Sequence, residues 1–480
     1  MSNTLRIAHN FGLKLFADVY SRAGMLVFVI VIARTYGADA FGSYVLSFAV
    51  ANIFYIVTEF GLHTLLIREI AKDYSHAHVY WEKFLTLKII LSGIAIAGVI
   101  ITGLTLQLNM ETAKILILAT IWMIANSLID AQYAYFTAFE KLIYVVYNTI
   151  FYRTVLYIIG FSCLIMGASL VALCSIIALS SVLGACTGMY IIARCFKSCR
   201  VRWDASLIKK MLYDAWPIAL SGIFMSAYLR IDTILLSQWK GTVQAGIYNS
   251  AFKLYEPLLF IPSIFQSIIL PVLTKYVINT GNNMQKTFIK AYTFMFITGL
   301  PISILFIIKS DWIIQTIFGK DYSSGSTALM FIAPAITLLF VNAIPSIVLI
   351  SKGKQILNVY VCLIALICSV AGNLLLIPGM GFIGCALIVS LSQVIIFIIM
   401  SLILPAYICN KELFLNIFKI IVSGSIMGFI LFKINLFSMN ILLSVSSILI
   451  CFVIYFFCII TVKIINIDEL KKLFGNRQLE

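Results

Sequence analysis

The sequence predicts an all-α polytopic membrane protein of about fourteen transmembrane helices, and three observations predict it. Of 480 residues, 62% are hydrophobic and only 11% charged, whereas a soluble domain carries roughly 25% charged residues. Mean hydropathy is +1.05. Apolar runs of the roughly 20 residues that cross a ~30 Å hydrocarbon core as helix recur along the whole chain. Strands of a membrane barrel would alternate polar and apolar residues, and stretches such as Ile441 to Ile460 do not. Helices remain, because lipid cannot satisfy an open backbone.

Taken in order, the first apolar run, Leu13 to Ala33, follows Arg6 and His9 and meets no small-residue cleavage site, so it is expected to be retained as a span. Spans are expected at 13–34, 43–66, 84–106, 115–137, 146–166, 169–193, 215–238, 249–273, 288–308, 327–350, 356–377, 381–404, 414–434 and 439–462. That count puts both termini on one side. The loops on that side carry 23 Lys and Arg residues against six opposite (Arg34, Lys114, Lys240, Lys309, Lys320, Lys433). A bias of that size predicts cytoplasmic termini. Much of the formal net charge of +15 is thereby accounted for by topology and attraction to anionic lipid heads, which removes the case for a nucleic-acid partner.

Loops are short throughout, so no soluble domain is expected. The longest external loop covers 309–326. The longest internal one, Arg194 to Asp214, sets Arg200, Arg202, Lys209 and Lys210 among Val201, Trp203, Leu207, Ile208 and Leu212, a pattern for a short amphipathic helix on the inner membrane face. The expected organisation is an N-terminal lobe of helices 1–6 (1–195), an amphipathic linker (196–214), a C-terminal lobe of helices 7–12 (215–408), and helices 13–14 with a tail (409–480).

The eleven cysteines lie mostly within apolar runs, where they behave as small hydrophobes and imply no disulfide framework. Cys195 with Cys199, and His76 with His78, are poor metal sites for want of further ligands. No Walker, dinucleotide-binding, zinc or nucleophile-elbow sequence stands out, so no cofactor, metal or catalytic residue is expected, nor ATP-driven pumping by this chain itself.

An internal repeat is visible. Arg22 in span one is followed by Gly42-Ser43-Tyr44 at the entry to span two, and Arg230 in span seven by Gly246-Ile247-Tyr248 at the entry to span eight. A parallel duplication of six plus six spans fits, with two extra helices, and such duplications are typical of transporters whose site lies between the halves.

The order Ala33-Arg34-Thr35-Tyr36-Gly37, Phe41-Gly42-Ser43-Tyr44, Glu59-Phe60-Gly61-Leu62 and Arg68-Glu69-Ile70-Ala71 resembles the N-terminal signature of the polysaccharide transporter family, the Wzx-type flippases of the multidrug/oligosaccharidyl-lipid/polysaccharide exporter superfamily. The resemblance is close over about the first 75 residues. It implies two six-helix lobes around a central cavity. It also implies transfer of undecaprenyl-pyrophosphate-linked O-antigen or capsule repeat units from the cytoplasmic to the periplasmic leaflet of a bacterial inner membrane, with a polysaccharide polymerase and a chain-length regulator as partners.

Ionisable side chains at membrane depth need a partner, a wet cavity or a snorkelling route. Asp18 and Arg22, four apart, share a helix face and are expected either to pair or to place Arg22 against the carrier's pyrophosphate. Arg230 and Asp232, two apart, point to different faces, which makes Arg230 the leading cavity candidate. Lys253 and Glu256 either pair locally or line an outer vestibule. Arg153, beside Tyr152 and Tyr157, suits either a sugar ring or interfacial anchoring. Glu59 and Asp130 have no basic partner at helical spacing and are candidates for binding and releasing a proton or sodium ion, or for a hydrogen bond to a neighbouring helix. Lys88 is expected to snorkel to the inner boundary. Pro217, Pro257, Pro262, Pro301, Pro334 and Pro345 are expected to kink the second half.

Alternating access by a flippase without covalent chemistry is the leading reading. The alternatives are a peptidoglycan lipid II flippase, a drug/cation antiporter of the same superfamily, and a membrane glycan polymerase. The last would need an external catalytic loop richer than that around Asp311 and Asp321.

Overall fold

The computed structural model describes residues 3–74, 77–196, 205–278 and 283–462. The pairs Cys195/Cys199 and His76/His78, the basic stretch holding Arg200 and Arg202, the side chains of Lys210 and Pro217, and the tail after 462 fall wholly or partly outside them. Within the described residues the structure is helical: α1 (Asn3–Glu59), α2 (Leu62–Lys72), α3 (Ala77–Thr105), α4 (Met110–Ala138), α5 (Leu142–Ile165), α6 (Leu170–Phe196), α7 (Ala205–Lys240), α8 (Thr242–Tyr255), α9 (Phe260–Ile278), α10 (Asn283–Ile308), α11 (Ser310–Phe318), α12 (Gly325–Ser351), α13 (Ile356–Met380), α14 (Phe382–Ile403), α15 (Pro405–Ile408), α16 (Lys411–Lys433) and α17 (Ile441–Thr461).

Twelve stretches among the described residues are long and apolar enough to cross a membrane. One of them, Gly12–Lys72, runs for 61 residues and contains the first two predicted spans. They are joined at Gly37, whose φ of 76° and ψ of 178° leave the helical region, a conformation that glycine tolerates at little cost. The other difference is α7, which spans the predicted seventh segment but carries Arg230 and Asp232, so it stands outside the twelve. Pro257 opens a 3₁₀ turn between α8 and α9 (Glu256–Leu259). Pro301, Pro334 and Pro345 are carried inside α10 and α12.

The chain divides into two compact units, Met1–Asn249 and Ser250–Glu480. The division falls after α7, not in the 196–214 linker expected to part the lobes. The reason lies in packing: α7 runs along α1, where Ser226 Oγ donates to the Asn52 carbonyl at 3.1 Å.

In the first unit α1 also packs on α3, α4 and α5, and α4 on α6. Polar side chains act as interhelical glue, as they do where lipid supplies no hydrophobic drive. Gln132 Nε2 of α4 donates to the Ala185 carbonyl of α6 at 2.8 Å, and Asn148 Nδ2 of α5 to that of Gly184 at 3.0 Å. Both meet at Gly188, where an added Cβ would lie 1.8 Å from Gln132 Oε1. An apolar cluster around Trp81, Phe84, Tyr135 and Phe136 closes one end of the unit.

The sequence repeat becomes a physical contact. Gly241, Thr242 and Gly246 follow Gly37, Ala38 and Gly42 by the same 204 positions, and Gly241 repeats the left-handed φ of Gly37 at 84°. A Cβ on Gly42 would stand 1.8 Å from the Thr242 carbonyl oxygen, and one on Gly246 would stand 2.1 Å from that of Ala38. The start of α8 therefore crosses α1 backbone to backbone, each glycine facing the residue that precedes the other by four. Thr242 Oγ1 adds a hydrogen bond to Asp39.

The second unit centres on α12, packed against α10, α14 and α9. Ser303 Oγ donates to the Ala333 carbonyl at 2.8 Å and Asn342 Nδ2 to that of Gln393 at 3.0 Å. The two final helices belong here: α16 packs on α10 and α17, and Tyr455 hydroxyl donates to the Ile297 carbonyl at 3.0 Å.

Candidate functional site

The first unit encloses a cavity of about 460 Å³. Its walls come from four helices, and on each the lining residues follow helical spacing. α1 supplies Lys14, Asp18, Ser21, Arg22 and Met25, α2 supplies His63, α4 supplies Asn126, Ile129, Asp130, Tyr133 and Thr137, and α5 supplies Val145, Thr149, Tyr152 and Arg153. Positions three and four apart stack on one helix face, so each helix turns one polar stripe to the cavity and its apolar remainder to neighbours or lipid. Three basic and two acidic side chains thus share one hollow.

The α1 stripe is held against α5 by three contacts. Tyr157 hydroxyl donates to the Ser21 carbonyl at 2.7 Å, the Tyr20 and Thr154 hydroxyls are 2.9 Å apart, and the Tyr20 and Tyr157 rings meet edge to face at 5.7 Å. Asp18 and Arg22 therefore do face the cavity together, joined by Lys14 one turn earlier.

On α5 the Arg153 guanidinium lies over the Tyr152 ring at 4.9 Å, and its Nε is buried with no hydrogen-bond partner among the described residues. Beside it the Tyr133 and Thr149 hydroxyls are 2.7 Å apart. Arg153 sits within the unit, where an Nε–H missing an acceptor suits a ligand oxygen.

His63 was not anticipated from the sequence, which drew attention to His76 and His78 instead. Two consecutive left-handed residues, Phe60 (φ 42°) and Gly61 (φ 68°), break the chain between α1 and α2. The break turns the start of α2 so that His63 joins the cavity wall. His63 Nδ1 lies 3.1 Å from the Asp130 carbonyl oxygen. A carbonyl only accepts, so Nδ1 carries the proton. The available signal was position: His63 directly follows the Glu59-Phe60-Gly61-Leu62 stretch.

Glu59 has two partners, one of them beyond the reach of helical spacing. Its Oε1 accepts from the His63 backbone N–H at 3.2 Å, capping the start of α2. Its Oε2 lies 3.0 Å from Lys88 Nζ. Lys88 does not snorkel. It is fully buried, donates also to Ser127 Oγ at 2.7 Å, and sits over the Phe84 ring at 5.8 Å. The snorkelling expectation fails because α1, α3 and α4 enclose the side chain before its stem could reach the boundary.

The remaining embedded charges are placed apart from this cavity wall. Asp232 is buried in α7, where it accepts from the Thr233 backbone N–H at 2.7 Å and from the Tyr248 hydroxyl. The tyrosine of the second Gly-x-Tyr sequence, which lies within α8, is thus the anchor for that acid. Arg230, the leading cavity candidate from sequence, does not line the cavity. Lys253 and Glu256 pair locally at 2.7 Å.

Comparison with known proteins places these features. The family profile described as "Polysaccharide biosynthesis protein" matches residues 7–277, over half the chain. The capsular polysaccharide biosynthesis protein CapF of Staphylococcus aureus is 27% identical over 179 residues, 37% of this chain and 45% of that protein. The chain therefore spans less than half the length of this curated relative. Among solved structures, an inward closed conformation of the lipid II flippase MurJ superposes with a TM-score of 0.75 at 15% identity, covering 92% of this chain and 97% of that one. An inward-facing multidrug resistance MATE family transporter of the MOP superfamily gives 0.65 at 12%, covering 82% and 96%. At such identities these two share the fold.

Proposed function

From the premise that the chain belongs to the polysaccharide biosynthesis protein family, we propose that it is a flippase for a lipid-linked oligosaccharide. It carries an undecaprenyl-pyrophosphate-linked O-antigen or capsule repeat unit from the cytoplasmic to the periplasmic leaflet of a bacterial inner membrane, with both termini in the cytoplasm. The observation that carries this reading is the cavity with Lys14, Arg22 and Arg153 on its walls inside a bundle of apolar helices.

The physical problem of the task is desolvation. An unpaired ionised group costs far more in hydrocarbon than its hydrogen bonds return, so a pyrophosphate crosses only where fixed cations replace its water. Lys14 and Arg22 meet the diphosphate, Arg22 through its bidentate fork. Arg153, stacked on Tyr152, and the Tyr133–Thr149 hydroxyl pair meet the first sugar. The lipid tail stays in the bilayer while the bundle alternates between inward and outward openings, and no bond is made or broken. Asp18 and Asp130 balance the basic groups while the cavity is empty and are the sites for a coupling proton or sodium ion. A polymerase and a chain-length regulator consume the product outside.

The test is complementation in a strain lacking its O-antigen or capsule flippase. The wild-type chain is expected to restore surface polysaccharide, and Arg22→Ala, expressed to the same level, to lose most of it. Full restoration by Arg22→Ala together with Arg153→Ala removes the site assignment. Rescue instead of a strain depleted of its lipid II flippase assigns peptidoglycan precursor as cargo, a reading that the fold shared with MurJ favours as second choice.

A further inference from the structure

We propose that His63 is a proton-dependent anion-binding residue of the cavity, so that the site holds an oxyanion tightly when the imidazole is charged and releases it when the imidazole is neutral. The inference rests on the flippase reading for the identity of the anion and adds to it a means of regulating affinity.

The geometry leaves the imidazole one free function. Nδ1 is committed to the Asp130 carbonyl at 3.1 Å, and the backbone N–H is committed to Glu59 Oε1 at 3.2 Å, so ring and backbone are both held. Nε2 is the atom left to the cavity that His63 lines. In the neutral ring it bears a lone pair and repels an oxyanion; in the imidazolium it is a charged donor. Imidazole makes that change between about pH 5 and 8. The same nitrogen thus changes from an acceptor to a donor within the hollow.

The charged and titratable groups that line the cavity with His63 come from three helices. α1 presents Lys14, Asp18 and Arg22, and ends in Glu59; α4 presents Asp130 and Tyr133; α5 presents Tyr152 and Arg153. Lys88 of α3 lies behind Glu59 at 3.0 Å. Acidic and basic groups together set the balance between the neutral and the charged ring. An incoming oxyanion shifts that balance toward the charged form, and by linkage protonation raises the affinity for the anion by the same factor.

The experiment uses the purified full chain in detergent, with sulfate as probe because its charge is constant across this range, and inorganic pyrophosphate as a second probe. Affinity is read from ligand-induced thermal stabilisation at pH 5.5 and 7.5. Wild type is expected to bind sulfate about tenfold more tightly at the lower pH, the scale of one charge-assisted hydrogen bond gained. His63→Asn keeps a donor for the Asp130 carbonyl but has no Nε2, and is expected to bind equally weakly at both. His63→Arg is expected to bind tightly at both. Equal wild-type affinity at the two pH values overturns the proposal whatever the variants do. So does a pH dependence that survives in His63→Asn and vanishes in Asp130→Asn. Failure of the flippase reading is distinguishable, since it shows as absent complementation by wild type while the pH-dependent sulfate binding remains.

Discussion

Replacing Gly42 with leucine tests the backbone crossing of α1 and α8. An added Cβ would stand 1.8 Å from the Thr242 carbonyl oxygen, where ordinary contact begins near 3.4 Å, so the helices must part by about 1.6 Å at that point. Backbone on the far side leaves no flexible side chain to yield. Overpacking of this kind costs about 1–3 kcal/mol, which at about 1.4 kcal/mol per tenfold lowers the population of the crossed arrangement by roughly 5- to 140-fold. The assay is oxidative cross-linking of Asp39→Cys with Thr242→Cys, a pair now joined by a hydrogen bond. The cross-link is expected to form readily in the otherwise unchanged protein and slowly when Gly42→Leu is added, and export of surface polysaccharide is expected to fall in step. Gly93→Ala, which adds a methyl group where nothing lies within 4 Å, serves as the control and should leave both readouts unchanged. Unaltered cross-linking and export in Gly42→Leu would refute the claim that the two glycines hold the helices together.

Two further outcomes concern stability. Lys88→Met removes one partner of a buried ion pair and leaves the Glu59 carboxylate uncompensated, a loss of about 3–5 kcal/mol; it is expected to lower the melting temperature of the solubilised protein sharply, and adding Glu59→Gln should recover part of the loss. Equal melting of Lys88→Met and wild type would mean that the pair carries no net energy. Gly188→Ala pushes a methyl group to 1.8 Å from Gln132 Oε1, displacing the amide that bonds the Ala185 carbonyl, with a loss of about 1 kcal/mol. Shortening Gln132 to alanine in the same chain should make the added methyl less costly, leaving its 2.8 Å approach to Asn148 Nδ2, and a double-mutant melting series measures the difference directly.

The helical bundle, the positions of its spans and the repeat were legible in the sequence because each depends on local composition. Apolar run length sets where a helix can cross lipid, and a Gly-x-Tyr turn is recognisable wherever it recurs. Asp18 and Arg22 were legible too, since four-residue spacing puts both on one face of α1. Partners contributed by other helices were not legible. Glu59 and Lys88 are separated by 29 positions, and the i+3 and i+4 rule that finds helical pairs is silent at that distance.

What the sequence by itself determined is therefore the solvent this protein lives in, its all-helical architecture, and the α1 face that carries Asp18 and Arg22. Only the tertiary structure decided that α4 and α5 bring Asp130 and Arg153 to the same hollow, that Phe60 and Gly61 turn His63 into it, and that Gly42 and Gly246 meet. Membrane insertion is a sum over each segment's own side chains, whereas a cavity is made of the faces that several segments happen to share, and no single segment encodes that.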